Sequence, residues 1–226
     1  MIYLLAIIAL IALIYGPQLW VRYVISKHSK TIDGMPGTGA ELANHLIERF
    51  KLDGVSVKRT SKDQNFYSPQ DKQVGLAPEV YDGKSISAVA IAAHEVGHAI
   101  QYARQEPVSR LRKRYTGLAV SAQRMGIFVL SAAPVLGIIT KAPPLTLLML
   151  LAGVVAMIGS VGLYAMILPE EYDASFGKAL PILDEGYLPP QYMPAARQVL
   201  KAAALTYVAG ALANVLSIWR WLAVLR

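Results

Sequence analysis

The sequence predicts a mainly α-helical membrane protein of four spans, with a small α+β polar region between the first and second. Three observations carry this. Of 226 residues, 54% are hydrophobic, and the mean hydropathy is +0.40. Charged residues are only 16%, against roughly 25% in an ordinary soluble domain. The charges crowd into residues 26–116, leaving long apolar runs on either side.

The first run, residues 1–25 (MIYLLAIIALIALIYGPQLWVRYVI), exceeds the roughly twenty apolar residues that cross a bilayer core. It lacks the basic start and cleavage site of a removable signal, so it reads as an uncleaved first transmembrane helix. Gly16-Pro17 should kink its second half, and Trp20 and Tyr23 should sit at the interface.

Residues 26–116 form the polar region. Thr38–Phe50 places Leu42, Leu46 and Ile47 on one face and reads as a helix. Val55–Val57 and Gln73–Leu76 read as short strands. Asn65-Phe66-Tyr67-Ser68-Pro69 between them reads as a turn, and Gln73–Ala77 as a possible edge strand able to hold an extended peptide. Ser85–Gln105 is rich in Ala, free of Pro and stopped by Pro107, so it reads as a helix.

Residues 117–168 contain two further apolar runs, 117–140 and 143–168, joined by Thr140-Lys141-Ala142-Pro143-Pro144 as a transmembrane hairpin. Residues 169–200 are polar again. Residues 201–226 hold the fourth apolar run, from 202 to 224.

Basic residues near the first and second spans, among them Arg22, Lys27, Lys30, Arg110, Arg112, Lys113 and Arg114, outnumber the single Lys141 of the hairpin turn. The positive-inside rule then places 26–116 and 169–200 in the cytoplasm, with Arg226 on the opposite side as a minor exception. The formal net charge of +7 is accounted for by this juxtamembrane pattern. No nucleic-acid-binding signature accompanies it, so the pattern points to the lipid bilayer as partner and not to nucleic acid.

The chain has no cysteine, so a metal site must use His, Asp, Glu or water. The predicted 85–105 helix contains HEVGH. His94 and His98, at i and i+4, share one helical face and can bind one ion. Zinc suits neutral imidazole and accepts three protein ligands with one open position. Glu95, one step round the helix, is placed as general base for the attacking water. Two surface histidines with an exposed Glu would be the bland alternative. The surrounding Val89, Ala90, Ile91, Ala92, Ala93, Ala99 and Ile100 argue for a buried helix instead, where such groups are costly unless paired. Gly97 allows another backbone to come close.

For a third ligand, His28 lies in a basic juxtamembrane stretch and His45 on an amphipathic helix. The acidic run Leu168–Ser175 (LPEEYDAS) is the better source, although acids after a Pro also suit a plain helix start. Tyr67, Tyr102 and Tyr172 are candidate donors to an oxyanion.

The blocks FYSPQDKQVGLAPEVYDGKSISAVAIAAHEVGHAIQYA (66–103), LPEEYDAS (168–175) and KAAALTYVAGALA (201–213) resemble, in that order, the YugP-like family of bacterial membrane zinc metallopeptidases. The resemblance covers nearly the whole chain. It implies a zincin-like, Glu-ligated site in the bacterial cell membrane, with Glu171 as third zinc ligand. On a helix from Pro169 the side chains of Glu170 and Glu171 point about 100° apart, so Glu170 is expected to be a surface acid. More distantly the chain is similar to HtpX-like membrane peptidases, in which an Asp four residues after the ligand Glu orients a histidine. Here that position is Ser175, and Asp173 is two residues on, so both remain candidates for that role. The reaction expected is zinc-assisted hydrolysis of peptide bonds in membrane or membrane-adjacent proteins. A non-cleaving metal-binding scaffold would have no need of Glu95. An ion pathway would spread its polar residues through the spans.

Overall fold

The structure is a computed structural model that describes residues 2–215. It is mainly helical and divides into two compact units.

Among the described residues, the first unit comprises those up to Gln18, Leu111–Ile167 and those from Tyr207 onward. Most of helix α5 (Arg110–Thr140) and all of α6 (Pro143–Ala165) belong to it. Lys141 takes a left-handed φ of 49° between them, and Pro143 opens α6 at a position where its missing N–H costs nothing. The turn lies where the sequence predicts it. Both helices belong to helical stretches long and apolar enough to cross a membrane, by length and composition. Their outer faces carry Phe128, Ile138, Ile139, Leu148, Val155 and Ile158 in the open, a density of apolar surface that water does not favour. They pack through small residues. A Cβ at Gly126 would stand 3.0 Å from the Gly153 carbonyl oxygen, and one at Gly153 would stand 2.5 Å from Leu130 Cγ. Such close backbone approach is how apolar helices associate without a hydrophobic drive.

Helix α1 (Ile2–Lys27) continues through Pro17. Met1 of the predicted first span, and the part of the predicted fourth run beyond residue 215 with Arg226, lie outside the described residues.

The second unit comprises Leu19–Arg110 and Leu168–Thr206. Helix α2 (Gly39–Arg49) begins with a capping box. The Thr38 hydroxyl accepts from Glu41 N at 3.2 Å, and Thr38 N donates to the Glu41 carboxylate at 2.7 Å. Strands β1 (Ser56–Arg59), β2 (Phe66–Ser68) and β3 (Gln73–Leu76) form one sheet in the order β1-β3-β2. β3 runs parallel to β1 and antiparallel to β2. Two expectations are corrected here. The stretch predicted as a turn contains β2, and β3 is the central strand rather than an edge.

After the short α3 (Pro78–Tyr81), helix α4 (Ile86–Ala103) is capped by Ser85, whose hydroxyl accepts from Ala88 N at 3.1 Å. Every residue from Ile86 to Gln101 is buried. This is the helix predicted for 85–105. Its burial on all sides explains its Ala-rich sequence, because neighbouring backbones must pass close to it.

Residues 168–187 are a helical segment with widened turns. α7 (Leu168–Tyr172) passes into a π-helical stretch, Asp173–Ala179, then α8 (Leu180–Ile182) and a second π-helical stretch, Leu183–Tyr187. Such turns often mark functional sites. The first lies against α4. A Cβ at Gly97 would stand 2.7 Å from the carbonyl oxygen of Ala174, so the close approach expected at Gly97 is realised. Helix α9 (Met193–Val215) follows and begins in this unit.

Candidate metal centre

Two pairs of residues at i,i+4 spacing face each other: His94 and His98 on α4, and Glu171 and Ser175 on the segment that Gly97 admits. His94 Nε2 and His98 Nε2 are 3.3 Å apart. Each is also 3.3 Å from Glu171 Oε2. The three atoms form an equilateral triangle, and all three side chains are buried.

The triangle has the dimensions of a zinc site. Zinc bonds to imidazole nitrogen and carboxylate oxygen measure about 2.0–2.1 Å, and at tetrahedral angles such bonds hold the ligand atoms about 3.3–3.4 Å apart. A single shared proton could join one edge of the triangle, whereas one cation joins all three corners. The donor set, two imidazoles and one carboxylate, is one that zinc accepts. The residues therefore fit the metal.

Behind the triangle, each histidine has a partner on its other nitrogen. His94 Nδ1 lies 2.9 Å from Ser175 Oγ. That hydroxyl donates to the Leu200 carbonyl at 3.1 Å, which commits its one proton. It therefore accepts from His94 Nδ1–H, and a lone pair is left on Nε2 facing the triangle. His98 Nδ1 lies 2.9 Å from Gln101 Oε1, and Gln101 Nε2 donates to Asp173 Oδ2 at 2.8 Å. The two candidates for the orienting role are thus both engaged, Ser175 on His94 and Asp173 at one remove from His98. Gln101 is the residue that sequence reasoning missed. Its position three after His98, on the same face of α4, was the available signal.

Lys178 Nζ lies 3.0 Å from both Asp173 Oδ2 and Glu106 Oε2. Burial works to raise the Asp173 carboxyl. The hydrogen bonds from Gln101 and Lys178 and the Lys178 charge outweigh it, holding Asp173 below the usual carboxylate range.

Glu95 is buried, at 7% exposure, beside His94 on α4. Glu170 corrects an expectation. Predicted as a surface acid, it is 0% exposed, with Oε1 4.0 Å from His98 Nδ1. Glu170 and Glu171 are neighbours on α7, and both are buried. Only Glu171 reaches the triangle. His45 is exposed, and His28 Nε2 bonds Gln198 Oε1 at 3.2 Å, so neither joins the site. Of the tyrosines, Tyr67 on β2 packs against Tyr102 of α4 with ring centroids 5.7 Å apart, and burial raises the pKa of its hydroxyl. Tyr172 is 40% exposed and packs on Phe176.

Comparison with known proteins agrees with this chemistry. Residues 2–226 match the family described as "Putative neutral zinc metallopeptidase". The chain is 29% identical over 222 residues to a Bacillus subtilis (strain 168) protein named "Putative membrane protease YugP", covering 98% of this chain and 95% of that one. No solved structure matches.

Proposed function

The chain belongs to this neutral zinc metallopeptidase family, and from that membership we propose how its own residues perform peptide-bond hydrolysis. The observation that carries the proposal is the 3.3 Å triangle of His94 Nε2, His98 Nε2 and Glu171 Oε2. These three residues hold the zinc. When bound, zinc supplies a Lewis acid that polarises a carbonyl and lowers the pKa of water to about 7. Glu95 is the general base: its carboxylate takes a proton from the attacking water and delivers it to the leaving amine. Ser175 holds His94 in the tautomer that offers Nε2.

The substrates we propose are membrane or membrane-adjacent proteins. The relative's name and the exposed apolar faces of α5 and α6 support this. The proposed layout has four spans, in residues 1–25, the two runs of 117–168, and 201–226. The regions 26–116 and 169–200 face the cytoplasm, on the strength of the basic residues flanking the first two spans.

The test is metal analysis of purified protein together with a casein cleavage assay, on the unaltered chain and on Glu95→Gln. Zinc retained and cleavage lost in the variant supports the assignment. A variant that cleaves normally removes Glu95 from its role.

A further inference from the structure

Gln101 is 0% exposed, and both of its side-chain polar atoms have partners. Its Oε1 faces His98 Nδ1 at 2.9 Å. Its Nε2 donates to the backbone oxygen of Glu170 at 2.9 Å and to Asp173 Oδ2 at 2.8 Å. An amide can rotate to exchange its oxygen and nitrogen, so its orientation is set by what surrounds it. Here a carbonyl and a carboxylate, both acceptors, stand at one end. They compel the NH2 to face them and the oxygen to face His98. An oxygen opposite Nδ1 selects the tautomer with its proton on Nδ1 and a lone pair on Nε2. Rotation of the amide would select the opposite tautomer, whose Nε2–H cannot bind a metal. It would also set Oε1 against two acceptors.

Asp173 is held in turn. Lys178 reaches it at 3.0 Å and bridges to Glu106 at 3.0 Å. The chain of contacts runs from His98 through Gln101 and Asp173 to Lys178 and Glu106. Two members of this chain, Gln101 and Glu106, are also joined by the backbone, where Glu106 N donates to Gln101 O at 3.0 Å.

We infer that Gln101 is a positioning residue that sets the Nδ1–H tautomer of His98, and that Asp173, anchored by Lys178, holds Gln101 in the orientation that does so. The inference rests on the reading of His98 as a metal ligand. The amide performs the task without adding charge. A carboxylate at this position would lie against Asp173 and the Glu170 carbonyl. His94 is served by a hydroxyl and His98 by an amide at hydrogen-bond distance, with the Glu170 carboxylate farther off, its Oε1 4.0 Å from His98 Nδ1.

The experiment uses the full chain in detergent micelles, with ring-15N histidine and the metal stripped. The ring-nitrogen shifts then report each tautomer, and titrated zinc reports affinity. In the unaltered protein both His94 and His98 should show Nδ1–H. Gln101→Met should give His98 a mixture of tautomers and leave His94 unchanged, with zinc affinity falling 10–100-fold, as for other partners of ligand histidines. Ser175→Ala should do the converse. Asp173→Asn alters a partly exposed residue and keeps Gln101 in place. It should produce a smaller shift on His98 alone, which keeps the test intact should Gln101→Met fail to fold. If His98 retains a single Nδ1–H tautomer in Asp173→Asn and in any folded Gln101 variant, the role of Gln101 is overturned. Zinc affinity unchanged in His98→Ala would instead overturn the ligand reading, whatever the tautomers show.

Discussion

Gly97 and Ala174 lie in backbone contact: a methyl group on Gly97 would stand 2.7 Å from the Ala174 carbonyl oxygen and 3.3 Å from its Cα. That oxygen belongs to helix backbone, which cannot move aside as a flexible side chain could. Gly97 sits between His94 and His98 in sequence, and Ala174 sits between Glu171 and Ser175. The contact sets the distance at which the two pairs meet. Gly97→Ala should therefore push the 168–179 segment outward. Overpacking of this kind typically costs about 1–3 kcal/mol, and the displaced Glu171 should weaken zinc binding as well. Thermal melting and zinc titration read the two effects separately. A variant with unaltered zinc affinity would show that the contact does not govern the site.

Removal of either histidine should abolish the centre. His94→Ala and His98→Ala each leave two corners of the triangle, and purified protein should fall from about one zinc per chain to almost none. Full occupancy in the double variant would place the metal elsewhere.

The two adjacent glutamates should separate cleanly. Glu171→Gln removes the carboxylate at the triangle and should lose zinc and cleavage together. Glu170→Gln keeps the volume of a residue buried against His98 and should retain the metal. Glu170→Ala should be costly for a different reason, since it empties space in a packed interior, and its deficit should appear as a lowered Tm. Retention of zinc by Glu171→Gln with loss in Glu170→Gln would reverse the assignment.

Glu95→Gln should keep zinc and lower kcat by about 10²–10⁴-fold, the usual worth of a general acid–base group. Parallel loss of zinc would indicate that Glu95 supports the ligands rather than the proton transfer.

Membrane orientation is checked with reporter fusions. One near residue 62 should report the cytoplasm, and one at Lys141 the opposite side. Interchanged signals would put the 26–116 region outside the cell.

Much of the candidate site was legible because its signals are local. His94, Glu95 and His98 lie within one helical turn and a half, and the i,i+4 rule places both imidazoles on one face with no knowledge of the rest. The α5–α6 turn was legible for the same reason, through Lys141 and Pro143. Glu171 needed the family resemblance, because nothing local distinguishes it from Glu170. The burial of Glu170 was not legible, since it depends on the packing of its segment against α4, where its carboxylate meets His98, a residue distant in sequence. β2 was hidden because its three residues sit among Asn, Ser and Pro, and its strand character comes from pairing with β3. Gln101 was passed over because a glutamine on a helix is ordinary until Asp173, distant in sequence, fixes its amide.

The proposed ligands are divided along the chain. His98 and Glu171 stand 73 positions apart, with the whole of α5 and α6 between them. A chain still being synthesised carries two imidazoles well before it carries the carboxylate that completes the set. During that interval only two corners of the triangle exist, and the third is supplied only after the α5–α6 pair has been made.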